Sequence, residues 1–197
     1  YYSNGISFLG PDCWCNDAQL CLGLHHGAVL SSFALGEADN VDWYAQRVIE
    51  HVSFEDTIGV QQIVLKSLAQ SDRHQECISR GVNILRQLNF NIPLAPSNEQ
   101  IANAMASTAC MASQYSSDRI ISLCHATTDD STYAVVKIMD AFYVSAYTTA
   151  SSFVPVIACE IIKFSFQNGV CPESAMSFAT FALFKIFLQG DYSGGKY

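Results

Sequence analysis

Positive charge is scarce in this chain. Ten Lys and Arg stand against eighteen Asp and Glu, a net charge of −8, and no basic run occurs anywhere. That balance argues against a nucleic-acid groove or an anionic membrane surface as a partner, since both need concentrated cations. Proline is scarce, with five residues, and charged residues make up only 14% of the chain. Disordered chains are rich in both, so this one is expected to fold. Long unbroken apolar runs are missing as well. The most apolar stretches, Phe153 to Phe166 and Ala175 to Leu188, are interrupted by Glu160 and Lys163 and by Lys185. Both fall short of the roughly 20 residues a spanning helix needs, and no segment reads as transmembrane. The opening residues lack the basic region and apolar core of a signal peptide. There is no initiator Met, and Tyr197 follows a turn. The chain therefore reads as a fragment of a longer protein.

Strand patterning is also wanting, because no clean apolar–polar alternation lies between paired turns. What is present is helical periodicity in a chain that is half hydrophobic, enough for a sizeable core. Asp17 is placed to cap a helix carrying Leu20, Leu24, Val29 and Phe33 and ending at Gly36. A second helix is expected over Asp42 to His51. Ser53 opens a third, with Asp56 where a capping-box acid belongs. Ile78, Val82 and Leu85 mark one face of a fourth. "FNIPLAPSN" then breaks the series, since two prolines in four residues cannot continue a helix. Ser97 with Gln100 forms a capping box that restarts it. Ser116 and Ser117 read as caps. Later helices are expected from Asp129 or Asp130 to about Tyr147, from Ser151 or Ser152 to Asn168–Gly169, and from Cys171 to Gly190, with Pro172 at the first position.

These elements predict an all-α chain of roughly seven to nine helices, paired through short turns into a TPR-like, α-solenoid-like array. Leu35–Gly36 and Leu68–Ala69 close helices 33 residues apart, near the ~34-residue tetratricopeptide period. Residues 1–197 are read as one helical-repeat region, with a sub-boundary at the proline-containing segment 90–97 and a hinge at Pro93 and Pro96. Trp43, Tyr44, Tyr143, Tyr147 and Phe153 are expected in the core rather than on a contact surface.

Four patterns invite a chemical reading. Gly190, four residues, then Gly195 and Lys196 imitate a phosphate-binding loop. Such a loop needs a preceding strand and a Ser or Thr after the Lys. Here Tyr197 takes that position, and the nineteen residues before Gly190 are several times longer than a typical strand. A helix stop followed by a turn accounts for every residue. Cys171 in "GVCPES" sits where a helix dipole can lower a thiol pKa. Its tripeptide resembles that around the reactive cysteine of peroxiredoxins, but their strands and preceding Thr are missing, and a plain helix start explains it as well.

The third pattern is Cys13, Cys15, Cys21, His25 and His26, in "CWCNDAQLCLGLHH". Cys21 and His25 are four apart on one helix face, which suits a Zn²⁺ site. Cys-x-Cys is not the usual knuckle, however, and His26 points about 100° from His25. The eight cysteines are better read as buried free thiols of a reducing, cytoplasmic compartment. Fourth, Asp129 and Asp130 read as helix caps rather than a catalytic pair, with His125 in a loop before them. No Ser lies in a nucleophile elbow.

Particular phrases then become informative: "FLGPDCW", "LHHGAVLSSFALGEADNVDWYAQRVIEHV", "GVNILRQLNFNIP" and "FQNGVCPESAMSFATFALFKIFLQGDYSGGKY". In that order they resemble the TPR-like helical-repeat region that follows the AAA-type, STAND-class ATPase module in large multidomain kinase and histidine-kinase signalling proteins. The resemblance covers nearly the whole chain. Its most specific piece runs from Asn168 to Tyr192. "QLNFNIP" matches the family's helix exit, with Asn89 where a Gly is usual. Cys13, Cys15 and Cys21 depart from the acidic or polar residues expected there. The resemblance implies no catalytic residue and no cofactor in this region, because the family's phosphate-binding loop lies upstream in a separate domain.

The expectation is a non-enzymatic scaffold or sensor-relay region with a protein or interdomain partner. The alternatives are a zinc- or thiol-dependent regulatory domain, or a nucleotide-binding enzyme at Gly190–Lys196. The preferred reading predicts no saturable Mg-ATP binding. Isothermal titration of the chain checks this, and saturable binding abolished by Lys196→Ala would reverse it.

Overall fold

The computed structural model describes residues 1–123, 130–149 and 152–189. The described residues form eleven helices and no paired strands. They are α1 (Tyr2–Ser7), α2 (Cys13–Asn16), α3 (Ala18–Leu35), α4 (Ala38–Ile49), α5 (Phe54–Gln70), α6 (His74–Gln87), α7 (Asn98–Ala112), α8 (Ser117–Ser122), α9 (Asp130–Thr148), α10 (Val154–Asn168) and α11 (Ser174–Gln189). The all-α expectation is met. The helix count exceeds seven to nine because three pieces, α1, α2 and α8, are too short to show helical periodicity in sequence.

Local chemistry sets most of the boundaries. The Asp17 carboxylate accepts a hydrogen bond from the Leu20 N–H at the start of α3, and Gly36 ends that helix at a left-handed φ of 75°. At α5, Ser53 Oγ accepts from the Asp56 N–H. Asp56 turns its carboxylate to the Ser53 hydroxyl instead of the backbone, because its side chain is shorter than the Glu or Gln of a full capping box. Ser97 and Gln100 complete both halves of such a box at α7. Ser116 Oγ accepts from the Arg119 N–H. Asn89 holds a φ of 58°, a left-handed conformation that Asn tolerates better than most residues.

Two boundaries differ from expectation. Helix α4 begins at Ala38, four residues before Asp42, since Gly36 alone suffices for the turn. Helix α11 begins at Ser174. Cys171 and Pro172 lie in the preceding turn, where the Cys171 and Pro172 carbonyls accept from the Ser174 and Ala175 N–H groups. Residues 190–197, where a turn is expected, and Cys124, His125 and Asp129 lie outside the described residues.

The chain divides into two compact units, Tyr1–Gly81 and Val82–Tyr197. The division falls inside α6, ahead of segment 90–97. In that segment Ile92 and Pro96 are both buried, which anchors it at two points.

In the first unit α3 packs against α1, α2, α4 and α5, and α4 against α5. Val29, Val41, Val48, Val64 and Leu65 are fully enclosed. The Cys77 thiol donates to the Leu65 carbonyl at 3.2 Å, and Arg80 donates to Gln61 Oε1 at 3.1 Å. Helix α3 has no Asp, Glu, Lys or Arg. It is the one described helix long and apolar enough to cross a membrane by length and composition. This corrects the reading that no segment qualifies, which rested on residues 153–166 and 175–188 alone. Core helices of soluble proteins meet the same criterion, and α3 packs on four other helices.

In the second unit α10 lies at the centre and packs on α7, α9 and α11. Met105, Cys159, Ile162, Phe166 and Phe181 form one buried cluster. Tyr115 stacks on Phe166 at 4.5 Å, and Phe178 meets the same ring edge-on at 5.8 Å. Helix α7 reaches α10 past the two helices between them in sequence, which a strictly sequential stack of hairpins does not do.

The caps yield two expected outcomes in urea denaturation. Ser97→Ala removes the α7 cap and costs about 1 kcal/mol. Gly36→Ala forces an L side chain into the left-handed region and also costs about 1 kcal/mol.

Candidate functional site

Helix α4 repeats a pattern every four residues. Trp43 and Arg47 lie one turn apart, and His51 follows just beyond the helix end. That spacing puts all three on one side. The Arg47 guanidinium lies over the Trp43 ring, with Cζ 5.4 Å from its centroid. His51 Nδ1–H donates to the Arg47 carbonyl at 2.8 Å, which fixes the imidazole.

Trp14 comes from α2 and stacks on His51, with ring centroids 4.7 Å apart and planes 11° from parallel. It also meets His25 of α3 at 5.1 Å. His25 Nδ1 lies 2.8 Å from the Cys21 carbonyl. A carbonyl only accepts, so Nδ1 carries the proton and Nε2 holds the lone pair in the neutral ring. Together with Ile6, Leu9 and Pro11, these rings frame a cavity of about 340 Å³. None of its lining residues is acidic. Helix α1 completes the wall because Gly27 of α3 lets the Tyr2 ring approach closely. A Cβ at Gly27 would stand 2.2 Å from that ring.

His25 is 4% exposed. Burial holds its pKa below the ordinary 6.5, and the nearby positive charge of Arg47 and His51 adds to the depression, against the opposing Cys21 carbonyl.

The sequence-derived metal candidates do not assemble. Cys15 is exposed, whereas Cys21 is buried. Cys13 sits against Cys21, and burial above all pushes the Cys21 thiol up to about 11, with Cys13 and Asp17 adding to it. A thiol so protonated is a poor metal ligand. His26 and His25 lie on different faces of α3. Among the described residues no group of three or more His, Cys, Asp or Glu is placed to hold a metal ion.

Cys171 is not activated either. Burial raises its pKa, and its thiol lies 3.2 Å from Ser174 Oγ. The dipole effect expected at a helix start is weakened because α11 begins three residues later. Cys159 is likewise raised by burial, to about 11.

A second concave surface lies in the second unit between α9 and α11. Tyr143, Val144, Tyr147, Met176, Thr180 and Leu183 line a groove of about 500 Å³, with Asp140 also on its lining. Val144, Tyr147 and Met176 are each about 60% exposed. The Tyr143 hydroxyl donates to Thr180 and ties the two walls together.

No family model, no curated protein and no solved structure matches this chain.

Five aromatic residues are expected from the sequence to lie in the core. Phe153 and Tyr143 are buried there, but Trp43 and Tyr147 are 51% and 61% exposed. Arg47, His51 and Trp14 were missed, although the i, i+4, i+8 spacing of Trp43, Arg47 and His51 was available to find two of them.

A pH test follows from His25. Its folded-state pKa lies below the unfolded value, so the unfolded chain binds the proton more readily. The stability gained from neutral His25 is complete above pH 6.5 and is lost as pH falls below it. Thermal melts between pH 7.5 and 5 are expected to fall more steeply for the native chain than for His25→Phe. Parallel curves would show that His25 stays accessible to protons.

Proposed function

We propose that this chain is a non-enzymatic helical interaction module whose α9–α11 groove receives an amphipathic helix from a protein partner. The observation that carries this reading is the groove itself: an apolar furrow between two helices, with Val144, Tyr147 and Met176 open to solvent. Exposed contiguous apolar surface of this kind commonly marks an interaction site. A furrow between helices suits a third helix presenting apolar residues at i, i+4 and i+7. The net charge of −8 favours Lys or Arg flanking those anchors.

The wider expectation places this module as the relay arm of a STAND-type ATPase signalling protein, built as a TPR-like array. That placement rests on the sequence resemblance. The succession of α3, α4 and α5, each packed on the next, accords with paired helices; the packing of α7 on α10 does not require them. In a relay of this kind, partner binding biases helix packing and thereby a neighbouring switch.

The test is selection from a displayed library of amphipathic helices with randomised charged faces. The expected winners carry Lys or Arg beside their apolar anchors. They should lose at least about tenfold in affinity, one buried anchor's worth, to the chain carrying Val144→Glu and Met176→Glu. Trp43→Ala, in the first unit, leaves their binding unchanged. Winners that are acidic, or that bind the double variant equally well, overturn the proposal.

A further inference from the structure

We propose that the cavity framed by Trp14, Trp43, Arg47 and His51 binds a small aromatic carboxylate, its ring among the aromatic side chains and its carboxylate on Arg47. This site lies wholly within the first unit and is independent of the α9–α11 groove.

Three features select that ligand class. The first is size. At about 340 Å³ the cavity is at the small end of ligand pockets. It accommodates a one- or two-ring molecule rather than a folded segment. The second is the division of its walls. Ile6, Leu9 and Pro11 supply an apolar side, and Trp14 and Trp43 supply flat aromatic surface. Arg47, His25 and His51 supply the polar groups. A ligand that satisfies both needs a planar apolar body and a polar head.

The third feature is the sign of the charge. No acidic residue lines the cavity in a chain whose net charge is −8. Among the described residues none forms an ion pair with Arg47, whose guanidinium is spread over Trp43. Arg47 therefore keeps its N–H edge for an acceptor, and a carboxylate matches that edge with two parallel hydrogen bonds. His51 has its Nδ1–H committed to the Arg47 carbonyl, so it contributes its ring, stacked on Trp14, to the wall. The same guanidinium disfavours the quaternary ammonium ligands that aromatic cages elsewhere receive.

The chain supplies its own probe. Trp14 and Trp43 are its two tryptophans, and both line this cavity. Fluorescence excited at the tryptophan edge therefore reports on this site alone. The full chain is titrated with benzoate, with benzyl alcohol of the same shape but no charge, and with inorganic phosphate, which has charge but no ring. The proposal expects a saturable change with benzoate. It expects binding at least about tenfold weaker for benzyl alcohol and for benzoate on Arg47→Gln, as losing one charge-assisted hydrogen bond implies, and for phosphate, which buries no ring.

Arg47 and His51 are both exposed, so Arg47→Gln and His51→Gln are expected to fold, and far-UV circular dichroism confirms it. His51→Gln removes the ring that stacks on Trp14 and should weaken benzoate binding in the same direction. Val144→Glu, in the second unit, should leave it unchanged. Benzyl alcohol equal to benzoate would show a merely apolar cleft, and phosphate equal to benzoate would show an inorganic-anion site. Either result overturns the proposal, as does the lack of any saturable change or benzoate binding untouched by Arg47→Gln.

Discussion

Helix α10 has almost no face that tolerates water. Ten of its fifteen residues are buried, including Val154, Val156, Ile157, Ile161, Ile162 and Phe166, so it must be enclosed on several sides at once. Helices α7, α9 and α11 supply that enclosure. The rest of the second unit follows from this requirement. Tyr115 stacks on Phe166 because α7 has to cover that end of α10. Ser165, buried on α10, hydrogen-bonds to Ser174 at 2.6 Å as α11 begins. Ser165 Oγ also donates to the Ile161 carbonyl at 2.7 Å, and Ser174 Oγ accepts from the Cys171 N–H, so the pair links the end of α10 to the start of α11.

Because α9 and α11 both direct their most apolar sides toward α10, they leave a furrow between their outer faces. Val144, Tyr147, Met176 and Leu183 fall on that outer surface. The groove is thus a by-product of enclosing α10, and the exposed apolar residues along it are the part that packing does not explain. The first unit solves a different problem. Its α3 is apolar around its circumference, yet two histidines sit in its middle. His25 is accommodated by giving its Nδ1–H to the Cys21 carbonyl and its ring to Trp14. That arrangement draws α2 and the end of α4 together and opens the cavity beside Arg47.

Much of the chain was legible in its residues. Asp17, Ser53, Ser97 and Gly36 mark helix ends by side-chain and backbone chemistry that acts within four residues, and each does so in the folded chain. The break at Pro93 and Pro96 was legible for the same reason. The short helices α1, α2 and α8 were not, since fewer than two turns carry no readable period. The start of α11 was misplaced at Cys171 because a Cys-Pro-Glu sequence suits a first turn. The turn that forms is tied to α10 by the buried Ser165–Ser174 contact, nine residues apart, which local pattern does not record.

What the sequence determined by itself is the class of structure and the position of most helix ends, because helical periodicity and capping are local. It also determined an acidic surface, because net charge is a sum over residues. Only the tertiary structure decided which thiols are buried, and that Cys13, Cys15, Cys21 and His25 are not placed together as a metal-holding group. It alone placed Trp43 and Tyr147 at the surface, and it alone brought Trp14 to His51. Those outcomes depend on which helix faces meet. That choice is made by burying apolar area across distant segments, and hydrophobic attraction has no direction that spacing along the chain records.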